Sequence, residues 1–185
     1  MRTTRLLAVM MDLSRAATTV ADLAAAMEAH LAPDDPLRPY PGRLARSTAG
    51  GALLAGVLTG SIDAVLQLPS GGFIIVDYKT NRFPTTQDQP LTLAHYHPAA
   101  MAEAMMQSHY PLQALLYGAA LHRYLQWRMP AYRPEKHLAG VGYLFVRGMG
   151  GPDTPTMASM PCGVFTWRPP AELFVAASGI LGGAT

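Results

Sequence analysis

Lysine is almost absent from this chain: in 185 residues only Lys79 and Lys136 occur, against twelve arginines. Cysteine is scarcer still. The single Cys162 excludes an internal disulfide and a four-cysteine iron–sulfur cluster, and fits a reducing, cytoplasmic setting. No run approaches the ~20 apolar residues that a membrane-spanning helix needs. The apolar stretch Leu6 to Met11 stops at Asp12 and is too short for a signal peptide. There is no Gly-x-x-x-x-Gly-Lys-Ser/Thr, so no P-loop hydrolysis of ATP is expected here. No internal repeat or low-complexity tract breaks the chain up. The formal net charge of +2 is too small to demand or forbid a nucleic-acid partner.

What is present reads as one α/β domain over residues 1–185, long enough for a single core. Residues 4–31 read as helix with a break near Ser14. The stretch from Thr19 to Leu31 has Thr19 as N-cap and Asp22 three positions on. His30, near the end of that helix, reads as favourable dipole chemistry rather than as a ligand. Ala32 to Pro41 is a loop rich in Pro and Asp. Leu58 to Leu68 and Phe73 to Lys79 are strands, followed by a polar connection from Thr80 to Leu91. Pro98 to Gln107 and Pro111 to Arg128 are helices with proline in the first turn. Leu138 to Val146 is a strand, Gly163 to Trp167 a short one, and Pro170 to Leu181 a final helix. His95 and His97 lie in a loop with no cysteine or further acid beside them, which is not a zinc pattern.

One of the two lysines sits two positions past an acid, in Phe73-Ile74-Ile75-Val76-Asp77-Tyr78-Lys79. A second acid, Asp63, lies fourteen positions before Asp77. Pro69-Ser70-Gly71-Gly72 between the strands is hairpin chemistry. With a loop of Pro69 to Gly71, residue 68 pairs with 72 and Asp63 falls opposite Asp77. Opposed residues share a face with Cβ atoms roughly 4.5–5.5 Å apart, and Lys79 shares the face of Asp77 by the period of two. Two carboxylates that close repel unless a cation lies between them, and hard oxygen donors suit Mg²⁺, or Mn²⁺ in its place.

This stretch resembles the RecB-like nucleases of the PD-(D/E)xK superfamily. Tyr110-Pro111-Leu112-Gln113 with Tyr117 is similar to the Gln-x-x-x-Tyr motif of that branch, and Gly140 to Met149 to its late strand. The likeness is most specific over residues 58–150. It implies a restriction-endonuclease-like core, a mixed β-sheet flanked by α-helices. It implies Asp63 and Asp77 as metal ligands, with the Tyr78 carbonyl as another. Lys79 would position or polarise the attacking water, and Gln113 and Tyr117 would support the site. Arg82, Arg123, Arg128 and Arg147 are candidates for contacts to a DNA backbone. The family also has an upstream helix with a histidine ligand; its setting is not visible here, so that N-terminal element is expected to be missing.

The implied activity is Mg²⁺-dependent hydrolysis of DNA phosphodiester bonds, of exodeoxyribonuclease type, in double-strand-break repair and recombination. The implied partners are DNA, a helicase domain and the other subunits of an exodeoxyribonuclease V-type complex, with no membrane. The alternative is a catalytically incomplete nuclease-domain fragment that holds DNA or docks a protein.

Overall fold

The computed structural model describes residues 2–13, 18–83 and 90–183. Its strands are β1 (Arg2–Asp12), β2 (Thr18–Thr19), β3 (Leu53–Leu54), β4 (Val57–Gln67), β5 (Phe73–Lys79), β6 (Leu138–Phe145), β7 (Thr156–Met157), β8 (Met160–Pro161) and β9 (Val164–Trp167). Its α-helices are α1 (Val20–His30), α2 (Tyr40–Arg46), α3 (Pro98–Gln107), α4 (Tyr110–Arg128), α5 (Pro134–His137) and α6 (Ala171–Ser178). The main sheet has the order β1-β4-β5-β6-β9. Its β5–β6 pair is parallel and the others antiparallel, which makes it a mixed sheet.

The largest departure from expectation is at the start of the chain. Residues 4–31 are not one helical stretch: Arg2–Asp12 is an edge strand, paired antiparallel with β4 from Arg2↔Gln67 to Asp12↔Val57. Leu, Met and Ala dominate this segment and favour helix locally. The alternation of buried Val9, Met11 and Leu13 with exposed Ala8, Met10 and Asp12 is a strand pattern, and the long ladder to β4 overrides propensity. The expected break at Ser14 lies outside the described residues. From Val20 onward the helix is as expected. Thr19 donates from its amide (2.7 Å) and its hydroxyl (2.8 Å) to Asp22 Oδ2, which fixes its first turn. The expected Pro- and Asp-rich loop ends early, because α2 begins at Tyr40, which is fully buried.

One face of the sheet carries the core. Ile62, Ile75, Val141, Tyr143, Phe145, Phe165 and Trp167 are all buried there. Helix α4 lies against β1 and β6, α6 packs on α4 and β6, and α1 packs on α6 and α2. The opposite face of β4, β5, β6 and β9 borders an open groove of about 880 Å³, lined by Leu66, Ile74, Val76, Tyr78, Leu144 and Val164 among others. No helix among the described residues is long and apolar enough to cross a membrane.

Helices α4 and α6 approach closely at Gly118, where a Cβ would overlap the Phe174 ring. Phe174 is itself buried and edge-on to Trp167, so it has little room to yield. Gly118→Ala is therefore expected to destabilise the fold by about 1–3 kcal/mol despite the better helix propensity of alanine, read as a lower urea midpoint at unchanged slope.

Candidate active site

The β4–β5 hairpin builds the site. The amide of Leu68 donates to the Gly72 carbonyl (2.8 Å) and that of Gly71 to the Leu68 carbonyl (2.9 Å), with Gly71 at φ +88°. This is the three-residue loop, and only a residue tolerant of positive φ fits its last position. The ladder then runs from Gln67↔Phe73 to Ala64↔Val76, so Asp63 and Asp77 are the next pair in register. There the ladder gives way. Asp63 has no registered partner on β5 or on β1, and its Oδ2 accepts the Tyr78 amide at 3.0 Å. Ile62 and Val65 both reach the core (0% and 6% exposed), which strict alternation forbids. The strand is thus locally irregular at Asp63, the way strands re-aim a side chain beside functional sites.

Asp77 points to the helical side of the sheet and is only 4% exposed. Lys79 Nζ lies 2.7 Å from Asp77 Oδ2. The distance is that of an ion pair, but the oxygen accepts no hydrogen bond of proper geometry. Burial pushes the Asp77 carboxyl above its usual range, Lys79 opposes this, and the Asp63 charge adds to it. An acid whose folded pKa is raised costs stability when ionised. That cost begins as the pH rises through its ordinary value and is complete above the raised one.

Helix α4 supplies the second layer. Lys79 Nζ donates to Gln113 Oε1 at 3.0 Å, Gln113 Nε2 donates to Tyr117 Oη at 3.1 Å, and Tyr117 Oη donates to the Ser61 carbonyl at 2.7 Å. Gln113 and Tyr117 are one helical turn apart on one face, so one helix grips both strands of the hairpin. The structure brings Asp63, Asp77, Tyr78, Lys79, Gln113 and Tyr117 into one cluster. His30 is not part of it; its Nδ1 is 2.8 Å from the Ala26 carbonyl in its own helix. His95 and His97 serve turns, their Nδ1 atoms accepting the Thr92 and Ala100 amides.

Of the arginines, Arg147 is exposed and donates from Nε to the Thr80 carbonyl (2.9 Å), next to Lys79. Arg82 is exposed just beyond the same strand end. Arg123 instead holds the end of α6, donating to Ser178 Oγ and to the Ser178 and Leu181 carbonyls at 2.8–3.1 Å.

Sequence reasoning did not single out Tyr143, Tyr110 as a neighbour of Lys79, or Asn81. Tyr143 is the registered neighbour of Asp77 on β6. Its hydroxyl donates to the Tyr110 carbonyl (3.0 Å), with Gln113 Oε1 as the alternative acceptor of the same proton (3.3 Å). The Lys79 ammonium stands 3.9 Å over the Tyr110 ring and 5.3 Å from that of Tyr143. Tyr110 Oη donates to Asn81 Oδ1 (3.0 Å) and Tyr96 Oη to the Asn81 carbonyl (2.8 Å), which pins the chain after Lys79. The available signal was a tyrosine in the otherwise apolar strand Gly142-Tyr143-Leu144-Phe145: its hydroxyl needs a buried partner.

The donor set fits a divalent cation. Asp77 Oδ2 is a buried oxygen without a hydrogen bond, Asp63 brings a second carboxylate from the adjacent strand, and oxygen donors of this kind suit Mg²⁺ or Mn²⁺. Among the described residues no group of three or more His, Cys, Asp and Glu side chains forms a metal cluster.

A mixed sheet bearing this acid–acid–lysine hairpin, with a Gln-x-x-x-Tyr helix behind it, defines a class. Residues 6–172 match the PD-(D/E)XK nuclease superfamily, and the chain belongs to it. Within it, the chain is similar to the RecB subunit of the RecBCD enzyme. It is 50% identical to that of Mycobacterium tuberculosis (strain ATCC 25618 / H37Rv) over 163 residues, 88% of this chain and 14% of the relative. It is 51% identical to that of Mycolicibacterium smegmatis over 162 residues, 88% of this chain and 15% of the relative. The Escherichia coli (strain K12) subunit is 37% identical over 130 residues, 70% of this chain and 10% of the relative. The chain therefore spans 15% or less of the length of these relatives.

The Lys79–Gln113 contact is expected to couple energetically. A double-mutant cycle of Lys79→Met and Gln113→Leu by urea unfolding should return an interaction energy of about 0.5–3 kcal/mol. Additive effects would mean that the two side chains do not share one network.

Proposed function

We propose that this chain is a metal-dependent nuclease domain that hydrolyses DNA phosphodiester bonds, as part of a RecB-type helicase–nuclease acting in double-strand-break repair. The observation that carries this is the buried Asp77 carboxylate, 2.7 Å from Lys79 Nζ and close enough to Asp63 to feel its charge. Asp63, Asp77 and the Tyr78 carbonyl are the residues that would hold the cation, Mg²⁺ or Mn²⁺. When bound, it would neutralise the phosphate and lower the pKa of a coordinated water.

The chain's own residues do the rest. Lys79 places a fixed positive charge where negative charge develops on the scissile phosphate, in a site too dry to screen it. Gln113 accepts from the ammonium and so orients it, and the Tyr110 and Tyr143 rings confine it. The Tyr117 hydroxyl, protonated at neutral pH and pushed further up by burial, donates to the Ser61 carbonyl and holds β4 at the approach to Asp63. Exposed Arg82 and Arg147 flank the end of β5 and are suited to DNA phosphates. DNA, a helicase domain and the other subunits of an exodeoxyribonuclease V-type complex are the partners this reading assigns, and exonucleolytic attack is its reaction type.

One observation favours a second reading. Asp63 and Asp77 have no third His, Cys, Asp or Glu beside them among the described residues. A domain with so few charged ligands would bind DNA or a partner without cutting.

Cleavage of linear DNA decides between them. With millimolar Mg²⁺ or Mn²⁺ the chain should cut, and Asp77→Ala or Lys79→Ala should lower the rate by about 10²–10³-fold or more. A folded wild-type chain with no cleavage at any metal concentration would establish the second reading.

Cation binding has its own readout. At ten times Kd the metal should stabilise the fold by about 1.4 kcal/mol, a rise in Tm of roughly 3–5 °C for a domain of this size. The combined Asp63→Ala and Asp77→Ala variant should lose the rise, and its persistence would place the cation elsewhere.

A further inference from the structure

Helix α4 carries more than supports for the site. Gln113, Tyr117, Tyr124, Trp127 and Arg128 fall on one stripe about 100° wide, at about 100° per residue. From Tyr117 to Trp127 the stripe runs about 15 Å along the helix at 1.5 Å per residue. Beside it, α4 and β1 enclose two adjoining cavities. One, of about 270 Å³, has Gln113 and Tyr117 in its wall; the other, of about 360 Å³, has Tyr124 and Trp127. Val9 and Met11 of β1 line both, so the two lie end to end as a groove along α4, the first of them bordering Gln113 and Tyr117 of the active site.

The far end of the groove is unusually aromatic for an open surface. Trp127 is 77% exposed and Tyr124 42% exposed. The Arg128 guanidinium stands 5.0 Å from the centre of the Trp127 ring. Arg123 also lines this end, and Asp12 is the acidic residue on its β1 side. A wide π-face joined to a cation is the combination on which unpaired bases stack while the backbone is neutralised.

We propose that this groove is a track for single-stranded DNA, whose bases stack on Trp127 and Tyr124 while Arg128 meets the phosphates, and which leads the strand to Lys79 and Asp77. The proposal rests on the nuclease reading and adds the path of the substrate. Continuity decides the occupant: a strand in the groove passes Tyr117 and Gln113 on the same helix face, and Gln113 is bonded to Lys79 beside Asp77. Paired bases could not offer their faces to the two rings, so the strand is single.

The chain contains its own reporter. Of its two tryptophans, Trp167 is 1% exposed and Trp127 is open to solvent, so quenching by an added oligonucleotide reads stacking on Trp127. In metal-free buffer, where no cleavage occurs, oligo(dT) is expected to quench the emission saturably. Trp127→Leu should abolish the quench and weaken binding of a labelled oligo(dT) about tenfold or more by anisotropy, with Tyr124→Leu weakening it similarly. Both positions are exposed, so thermal unfolding should barely move. Equal binding by Trp127→Leu, unchanged emission on binding, quenching by duplex as strong as by oligo(dT), or shielding of Trp127 by self-association would each overturn the track. Absence of wild-type binding would overturn it too. Metal-dependent cleavage abolished by Asp77→Ala would still stand in all these cases, which separates failure of the track from failure of the nuclease reading.

Discussion

Lys79 and Asp77 meet at 2.7 Å where water hardly reaches them, and the surroundings of the site are built to tolerate that. Moving two charges out of water costs several kcal/mol each, and removing one partner of such a pair costs about 3–5 kcal/mol because the other is stranded. The neighbourhood answers for the lysine in full, with a carbonyl oxygen from Gln113 and the Tyr110 ring beneath it. It answers for the aspartate only in part: Oδ2 is left with the ion pair alone, and the carboxyl is pushed upward by burial. An acid held short of partners is poorly arranged for stability and well arranged for receiving a cation.

The same pair explains why α4 lies where it does. Its first two turns present Tyr110, Gln113 and Tyr117 in sequence, and these reach respectively Asn81, Lys79 and the Ser61 carbonyl. One helix thus fixes the end of β5 and the middle of β4, the two places where the carboxylates emerge. Tyr143 closes the arrangement from β6, because parallel pairing puts it beside Asp77. Gly118, one position after Tyr117, lets α6 press against α4 through Phe174, so the core behind the site is packed against the helix that forms it. The open groove on the far side of the sheet is mostly apolar, and it meets this network at Asp63 and Tyr78, which line its edge.

Much of this was legible locally. The loop Pro69 to Gly71 and the hairpin register as far as Ala64↔Val76 depend on neighbours in sequence and came out as expected; the direct opposition of Asp63 and Asp77 did not, because the ladder gives way there. Gln113 and Tyr117 were legible as a pair because helical spacing alone sets them on one face. The edge strand at Arg2–Asp12 was not. Its residues prefer helix, and only pairing with β4, some fifty residues away in the chain, makes it a strand. The bonds of Arg123 were hidden for the same reason: no local window shows that α6 brings the Ser178 and Leu181 carbonyls to it.

The sequence by itself determined the chemistry. One rare lysine, two acids at hairpin spacing and a Gln-x-x-x-Tyr helix are short-range patterns, governed by the strand period of two and the helix period of 3.6. Tertiary structure decided the environment those residues work in. It buried Asp77, opened the strands at Asp63, set the Tyr110 and Tyr143 rings about Lys79 and left Trp127 in solvent. None of these is written in a local window, because each depends on which distant surface comes to cover a side chain, and burial rather than residue type sets what a charge or a ring can do.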